Sequence, residues 1–410
     1  IYGESIYTNR VELFGTYELP MAADLRVDYS FSNHLQDSYY GSDFYEAKQN
    51  IAFANFIWNK PLKDHSLLLG LTTRYQNYDD NTVATESPDN QFIPGIFIQD
   101  EWEVNKNFTL LGGARLDHYA AHGPIFAPRL NLKYKPGTWT TLRANFGTGF
   151  RIVNLFTEDH AFVTGQRAVE ILGELRPERS YNGSLNVNHV FTLGNAQGTI
   201  DLDGYYTYFT NKIIPDYDTP GKIIYSNTEG HAETMGLGIN LTQEFTFPLG
   251  FNIGFNMQKV TQTEPDESGN LQTTNLEYAP EWSGMLNANY RWKQPRITLA
   301  YTLRITGPMA LPEVFDLDEQ GNPLPTSRPT RSEPFAFQNI QLSKEFSKRF
   351  SLYTGIQNLF NYKQEISPLV GFNDPTTPPG FSSYFDTAYA FSPIHGREFY
   401  LGLKWNLERK

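Results

Sequence analysis

Three places in this 410-residue chain carry residues whose types and spacing could do chemistry. The first is FGTGFRIVNLFTEDH, Phe146 to His160, where a Gly-x-Gly pair leads through an apolar patch to Glu158, Asp159 and His160. A phosphate loop places its glycines between a buried parallel strand and a helix, with Lys and Ser or Thr following. Here Gly147 and Gly149 end an alternating segment, and Arg151, Ile152 and Val153 come next. That excludes a nucleotide site and predicts that the glycines let a strand leave its sheet and bend into a loop. Glu158, Asp159 and His160 are metal-ligand types, but three adjacent residues rarely converge on one ion, so a solvated loop is the better reading. The other two places are acidic: DLDEQGNP (316–323) with Asp316 and Asp318, and PDYDTPG (215–221) with Asp216 and Asp218. Calcium takes about six to eight oxygens, and neither loop supplies the distal bidentate Glu of a hand-type site. Both read first as acidic turns, with calcium the one cofactor they could take. Eight His, no Cys and no Gly-x-Ser-x-Gly leave no nucleophile constellation, so the chain reads as a non-enzyme.

The elements that must position these residues are strands. Aromatics make up 15% of the chain, with 25 Tyr and 30 Phe, yet the mean hydropathy is −0.47. No apolar run is long enough for a membrane helix, but a spanning strand needs only about ten residues of alternating pattern. A net charge of −12 argues against nucleic acid as a partner. Segment after segment sorts into an apolar and a polar face when read in steps of two. Phe399, Leu401, Leu403 and Trp405 alternate with Glu398, Tyr400, Gly402 and Lys404; Leu67, Leu69, Leu71 and Tyr75 oppose Arg74 and Gln76.

Short turns at 19–23, 104–108, 134–138, 246–250, 292–295 and 346–350 alternate with longer loops near 32–43, 77–92, 149–177, 210–230, 262–279, 308–333 and 361–393. About 17 strands joined this way predict an all-β, antiparallel transmembrane barrel wall, with short periplasmic turns and longer outer loops. Arg74, Arg115, Asp117, Arg143, Asp201, Asp203, Arg291 and Lys404 all fall on the polar faces. Lipid cannot solvate them, so those faces must line a wet or protein-filled interior, while the apolar faces meet outer-membrane lipids. Trp58, Trp102, Trp139, Trp282, Trp292 and Trp405 sit near segment ends, as in interfacial girdles. A soluble propeller would need an internal repeat that the chain lacks.

Four motifs then carry a resemblance. FGTGFR…LFTEDH followed by ELRPERSYNGSLNV, IPGIFIQDEWEVNKNFTLLGGARLDHY (93–119), LYTGIQNLFNYKQE (352–365) and GREFYLGLKWNL (396–407) occur in the order found in TonB-dependent outer-membrane receptors. HLQDSYYG and FTEDHAFVTGQR are most similar to Bacteroidetes members of the siderophore and corrinoid receptor type. The resemblance implies a barrel of about 22 strands closed by an N-terminal plug, located in the outer membrane of a Gram-negative bacterium. It implies active import of a scarce metal chelate (a ferric siderophore, haem or a corrinoid) driven by the TonB complex acting on the plug. No plug-like sequence is evident, and counting strands back from the closing one places the N-terminus outside the cell. The expectation is therefore that residues 1–410 are the C-terminal part of such a barrel, without plug and first strands. Ligand contact is expected from outer-loop aromatics: Tyr39, Tyr40, Phe44 and Tyr45, and Phe372, Phe381, Tyr384, Phe385 and Tyr389. The same aromatics equally suit loop packing or a surface lipoprotein partner. Glycan or peptide import with such a lipoprotein, a passive porin, a structural barrel and an outer-membrane hydrolase are the alternatives.

Overall fold

The computed structural model describes residues 4–20, 24–40, 43–82, 85, 87–152, 168–194, 196–216, 222–266, 268–318, 322–367 and 389–406; among these there is no helix. The chain opens with β1 (Glu4–Glu18), β2 (Leu25–Tyr40), β3 (Asp43–Leu62), β4 (His65–Asp80), β5 (Asp89–Asn105), β6 (Phe108–Tyr119), β7 (Gly123–Tyr134) and β8 (Thr140–Arg151). A short β9 (Ala168–Ile171) precedes β10 (Glu178–Leu193) and β11 (Ala196–Thr210), and then come β12 (Ile213–Asp216) and β13 (Lys222–Asn227). Next are β14 (His231–Glu244), β15 (Leu249–Pro265), β16 (Leu271–Asn275), β17 (Trp282–Trp292) and β18 (Ile297–Thr306). The last are β19 (Phe315–Leu317), β20 (Pro323–Ser327), β21 (Phe335–Glu345), β22 (Phe350–Gln357) and β23 (Glu398–Trp405).

One antiparallel sheet takes 18 of these strands, and since β16 only extends β15 as a hairpin, 17 are staves of a meander. The expected strand count and all-β class hold. At the sheet's two ends, β1 pairs only with β2 and β23 only with β22 among the described residues. Connections such as 63–64, 106–107 and 293–296 sit at one end of the staves, while 152–177, 211–230 and 307–334 sit at the other. This asymmetry marks the first end as periplasmic and the second as outer.

Two expectations change. Residues 32–40 are not a loop: β2 runs on outward to Tyr40, which pairs with Asp43 at the start of β3. Nor do the glycines of the Phe146–Arg151 stretch release their strand, since Gly147 pairs Asn182 and Gly149 pairs Ser180 within an unbroken β8–β10 ladder. A side-chain carbon on Gly149 would lie 2.8 Å from Ser180 Oγ, so this glycine serves close approach across the ladder. Glu158, Asp159 and His160 lie outside the described residues.

Register stacks the lipid-facing side chains in rows across β2–β5. Leu25, Trp58, Leu69 and Ile98 form the row nearest the periplasm; Val27, Phe56, Leu71 and Ile96 follow; Phe31, Ala52, Tyr75 and Phe92 form the outermost apolar row. Leu25 to Phe31 is six residue steps, which at about 3.3 Å each make about 20 Å along the strand. This apolar band persists to the last stave, where Phe399, Leu401, Leu403 and Trp405 are all exposed. Trp102 stacks on His65 at the periplasmic rim of this face.

Candidate functional site

The opposite face of the wall carries most of the polar and charged residues of the staves, interspersed with apolar ones such as Ile57 and Ile93. Arg143 Nη1 donates to Asn186 Oδ1 at 2.8 Å, and Asn186 Nδ2 donates to Asp203 Oδ1 at 2.8 Å. Asn188 Nδ2 reaches Asp201 Oδ1 at 2.7 Å, and Arg115 grips Asp117 with two bonds of 2.6 and 2.8 Å. Asn252 Nδ2 bonds both Asn240 and Thr242 at 2.8 Å. Arg143, Asp201 and Asp203 are thus held by cross-strand partners, and Arg115 and Asp117 by each other along one strand.

At the outer mouth, described parts of two connections pair with each other. β13 pairs in parallel with β9 and antiparallel with β12, so the 152–177 and 211–230 connections share one small sheet. Ile213, Ile223 and Tyr225 form its core. Glu178, 4% exposed, anchors that sheet to the wall. It accepts from Arg151 Nε at 2.7 Å and from the Ile213 N–H at 2.9 Å, and Lys212 Nζ lies 3.2 Å away. Glu178 stands beyond the apolar band; burial alone would push its carboxyl up, but Arg151, the Ile213 N–H and Lys212 outweigh this and hold it below the usual glutamate range.

The 307–334 and 358–397 connections meet in a second apolar cluster of Met309, Leu311, Val314 and Tyr389. Tyr389, expected as an exposed loop aromatic, is 1% exposed. Its hydroxyl donates to Pro329 O at 2.6 Å, and the Arg328 guanidinium lies 5.1 Å from its ring centre. Burial pushes the Tyr389 phenol up. The sequence could not show this, because an aromatic in a polar loop reads the same whether it faces water or a neighbouring loop.

The acidic turns are also placed. Asp316 Oδ1 accepts from Arg328 Nη2 at 2.6 Å and Nε at 3.1 Å. Asp318 caps the β19–β20 hairpin by accepting the Asn322 N–H at 2.8 Å. Asp216 ends β12; Asp218 lies outside the described residues. Among the described residues no three acidic or imidazole side chains gather as metal ligands. Tyr39 and Phe44 are cross-strand partners on the outward face, with rings 5.0 Å apart, and Tyr7 meets Tyr39 edge-on at 6.5 Å. Tyr45 points the other way and is buried, its hydroxyl 3.4 Å from that of Tyr78. Tyr40 continues β2. Phe372, Phe381, Tyr384 and Phe385 lie outside the described residues.

The sequence missed a pocket on the inner face. It lies where residues 391–396 cross the top of β18, β21, β22 and β23, and its lining includes Arg304, Phe335, Phe337, Phe391, His395 and Glu398. Phe337 is the direct cross-strand partner of Arg304. Arg304, His395 and Glu398 are exposed, and none makes an ion pair among the described residues. A guanidinium beside three phenyl rings can take an anionic, partly aromatic ligand. Only cross-strand register brings these residues together, so spacing along the chain gave no signal for them.

The sequence profile described as "TonB dependent receptor-like, beta-barrel" matches residues 4–359. The iron-regulated outer membrane virulence protein of Vibrio cholerae is 25% identical over 246 residues, which are 57% of this chain and 37% of that protein. The ferric enterobactin receptor of Pseudomonas aeruginosa is 24% identical over 358 residues, 78% of this chain and 46% of that protein. A crystal structure of that receptor aligns with a TM-score of 0.70 at 18% identity, covering 98% of this chain and 62% of the solved one. The FrpB iron transporter of Neisseria meningitidis aligns with a TM-score of 0.68 at 13% identity, covering 97% and 62%. The chain thus spans less than half the length of these two curated relatives. None of these organisms belongs to the Bacteroidetes, so that finer resemblance gains no support. With the profile running from β1 to the end of β22, this chain belongs to the TonB-dependent receptor β-barrel family of the Gram-negative outer membrane.

Proposed function

We propose that this chain forms the larger part of the wall of a TonB-dependent importer that takes up a ferric siderophore. The observation that carries this reading is the inner-face pocket at the outer mouth, where Arg304, with no ion pair among the described residues, stands among Phe335, Phe337 and Phe391. A ferric chelate with anionic and aromatic groups suits it, because the guanidinium answers the charge and the rings bury flat ligand surface. The names of the ferric enterobactin receptor and the iron transporter support iron as cargo. The plug and TonB-engaging segment would come from elsewhere in the full protein, and the TonB complex would supply the work of release. Phe381, Tyr384 and Phe385 in the 358–397 connection remain candidates for further ligand contact.

The test is uptake of radiolabelled iron by an iron-starved deletion strain carrying the full-length receptor. Supplied as a ferric siderophore, iron should enter only when TonB is intact. Arg304→Ala should weaken ligand capture about tenfold, or 1.4 kcal/mol, with unchanged receptor abundance. Uptake of haem or a corrinoid instead would move the cargo within the metal-chelate class. Dependence on a surface lipoprotein would favour the glycan or peptide reading, and uptake without TonB would favour a porin.

A further inference from the structure

On the lipid-facing side, four asparagines lie abreast in one row. Asn33, Asn50, Asn77 and Asn90 are direct cross-strand partners on β2, β3, β4 and β5. Their amides form a one-way chain: Asn33 Nδ2 donates to Asn50 Oδ1 at 2.7 Å, Asn50 Nδ2 to Asn77 Oδ1 at 3.1 Å, and Asn77 Nδ2 to Asn90 Oδ1 at 3.0 Å. The Tyr75 hydroxyl also donates to Asn90 Oδ1, at 3.3 Å. Directly beneath lies the outermost apolar row of Phe31, Ala52, Tyr75 and Phe92. The row above holds Leu35, Lys48 and Asp79 as direct cross-strand partners; Lys48 is exposed and makes no ion pair among the described residues.

Each amide has two N–H donors and one acceptor oxygen. Asn33, Asn50 and Asn77 each spend one donor along the chain and keep a second, so spare donors recur at the strand spacing of about 4.8 Å. Strand pairing does not require amides here, since the rows beneath pair equally well through Val27, Phe56, Leu71 and Ile96. What the row touches follows from its height. It is the first polar row beyond the apolar band, at the outer end of the staves. Its neighbour there is the headgroup of an outer-leaflet lipid, which in a Gram-negative outer membrane is a phosphorylated saccharide. Ring hydroxyls and phosphate oxygens accept hydrogen bonds from amide and ammonium groups, and the exposed rings of Phe31, Tyr75 and Phe92 offer flat faces to sugar C–H edges. We infer that the Asn33–Asn50–Asn77–Asn90 row binds the phosphorylated saccharide headgroup of a glycolipid and fixes the depth of β2–β5 in the membrane. This does not depend on what the receptor imports.

The experiment titrates the purified full-length receptor with lipid A and, separately, with phosphatidylglycerol, and reads retained lipid by native mass spectrometry. Wild-type receptor should hold lipid A at least about tenfold more tightly than phosphatidylglycerol, a difference of 1.4 kcal/mol. The double variant Asn50→Ala, Asn77→Ala should lose that preference, and Lys48→Ala should weaken lipid A more than its dephosphorylated form. Equal retention of lipid A by wild type and double variant overturns the inference, as does equal binding of the two lipids to wild type. If the double variant fails to fold, Asn33→Ala carries the test, because it removes only the donor end of the chain. A loss of about threefold, ~0.7 kcal/mol, is then expected, and no loss overturns the site.

Discussion

Asn358, inside the GIQNLFNY motif, shows what a single residue does at the outer mouth. It is 1% exposed with a positive φ of 51°, a conformation asparagine tolerates better than most residues. Its Nδ2 donates to Tyr362 O at 2.7 Å and to His395 O at 3.0 Å, and its Oδ1 accepts the Tyr362 N–H at 2.8 Å. One side chain thereby ties the end of β22 to the lead-in of β23. Asn358→Ala would strand these groups and should cost about 2–3 kcal/mol. The check is the temperature at which the receptor's heat-modifiable gel band converts, which should fall in the full-length variant with the ladder-facing control Asn145→Ala little changed. The motif was legible in the sequence, but its job was not, since the partners lie up to 37 positions away. Tyr389 failed for the same reason: local polarity hid a partner from another connection.

At the scale of the element, nearly everything about the staves was legible. Each one meets lipid on one side and polar groups on the other, so period-two alternation had to be written into every segment. The connections were less legible, because part of their order comes from pairing with one another, as in β9 with β13. The closing stave gives the sharpest check on which face is which. A spin label at position 401, replacing Leu401, should report an apolar surround in bilayers, and one replacing Lys404 a polar one. Two water-like signals would overturn the assignment of lipid-facing and inner sides.

For the whole molecule, the open ends of the sheet dominate. β1 and β23 each present a free edge among the described residues, and every unpaired backbone group in lipid costs several kcal/mol. The expectation is that further strands cover both edges in the membrane. Residues 1–410 expressed alone should therefore aggregate, while co-expression with the remaining barrel strands and plug should restore a heat-modifiable band. A stable closed barrel from residues 1–410 alone would contradict this. Sequence counting anticipated the 17 staves, because each stave carries its own alternating signal.

The small sheet that joins segment 168–171 to segment 222–225 has a bearing on how the cell surface is seen from outside. An antibody or phage tail fibre landing there would read two stretches about 50 positions apart as one epitope. A vaccine peptide copied from either stretch alone would present half of that shape, and sera raised against it should recognise the denatured receptor on a blot far better than the living bacterium.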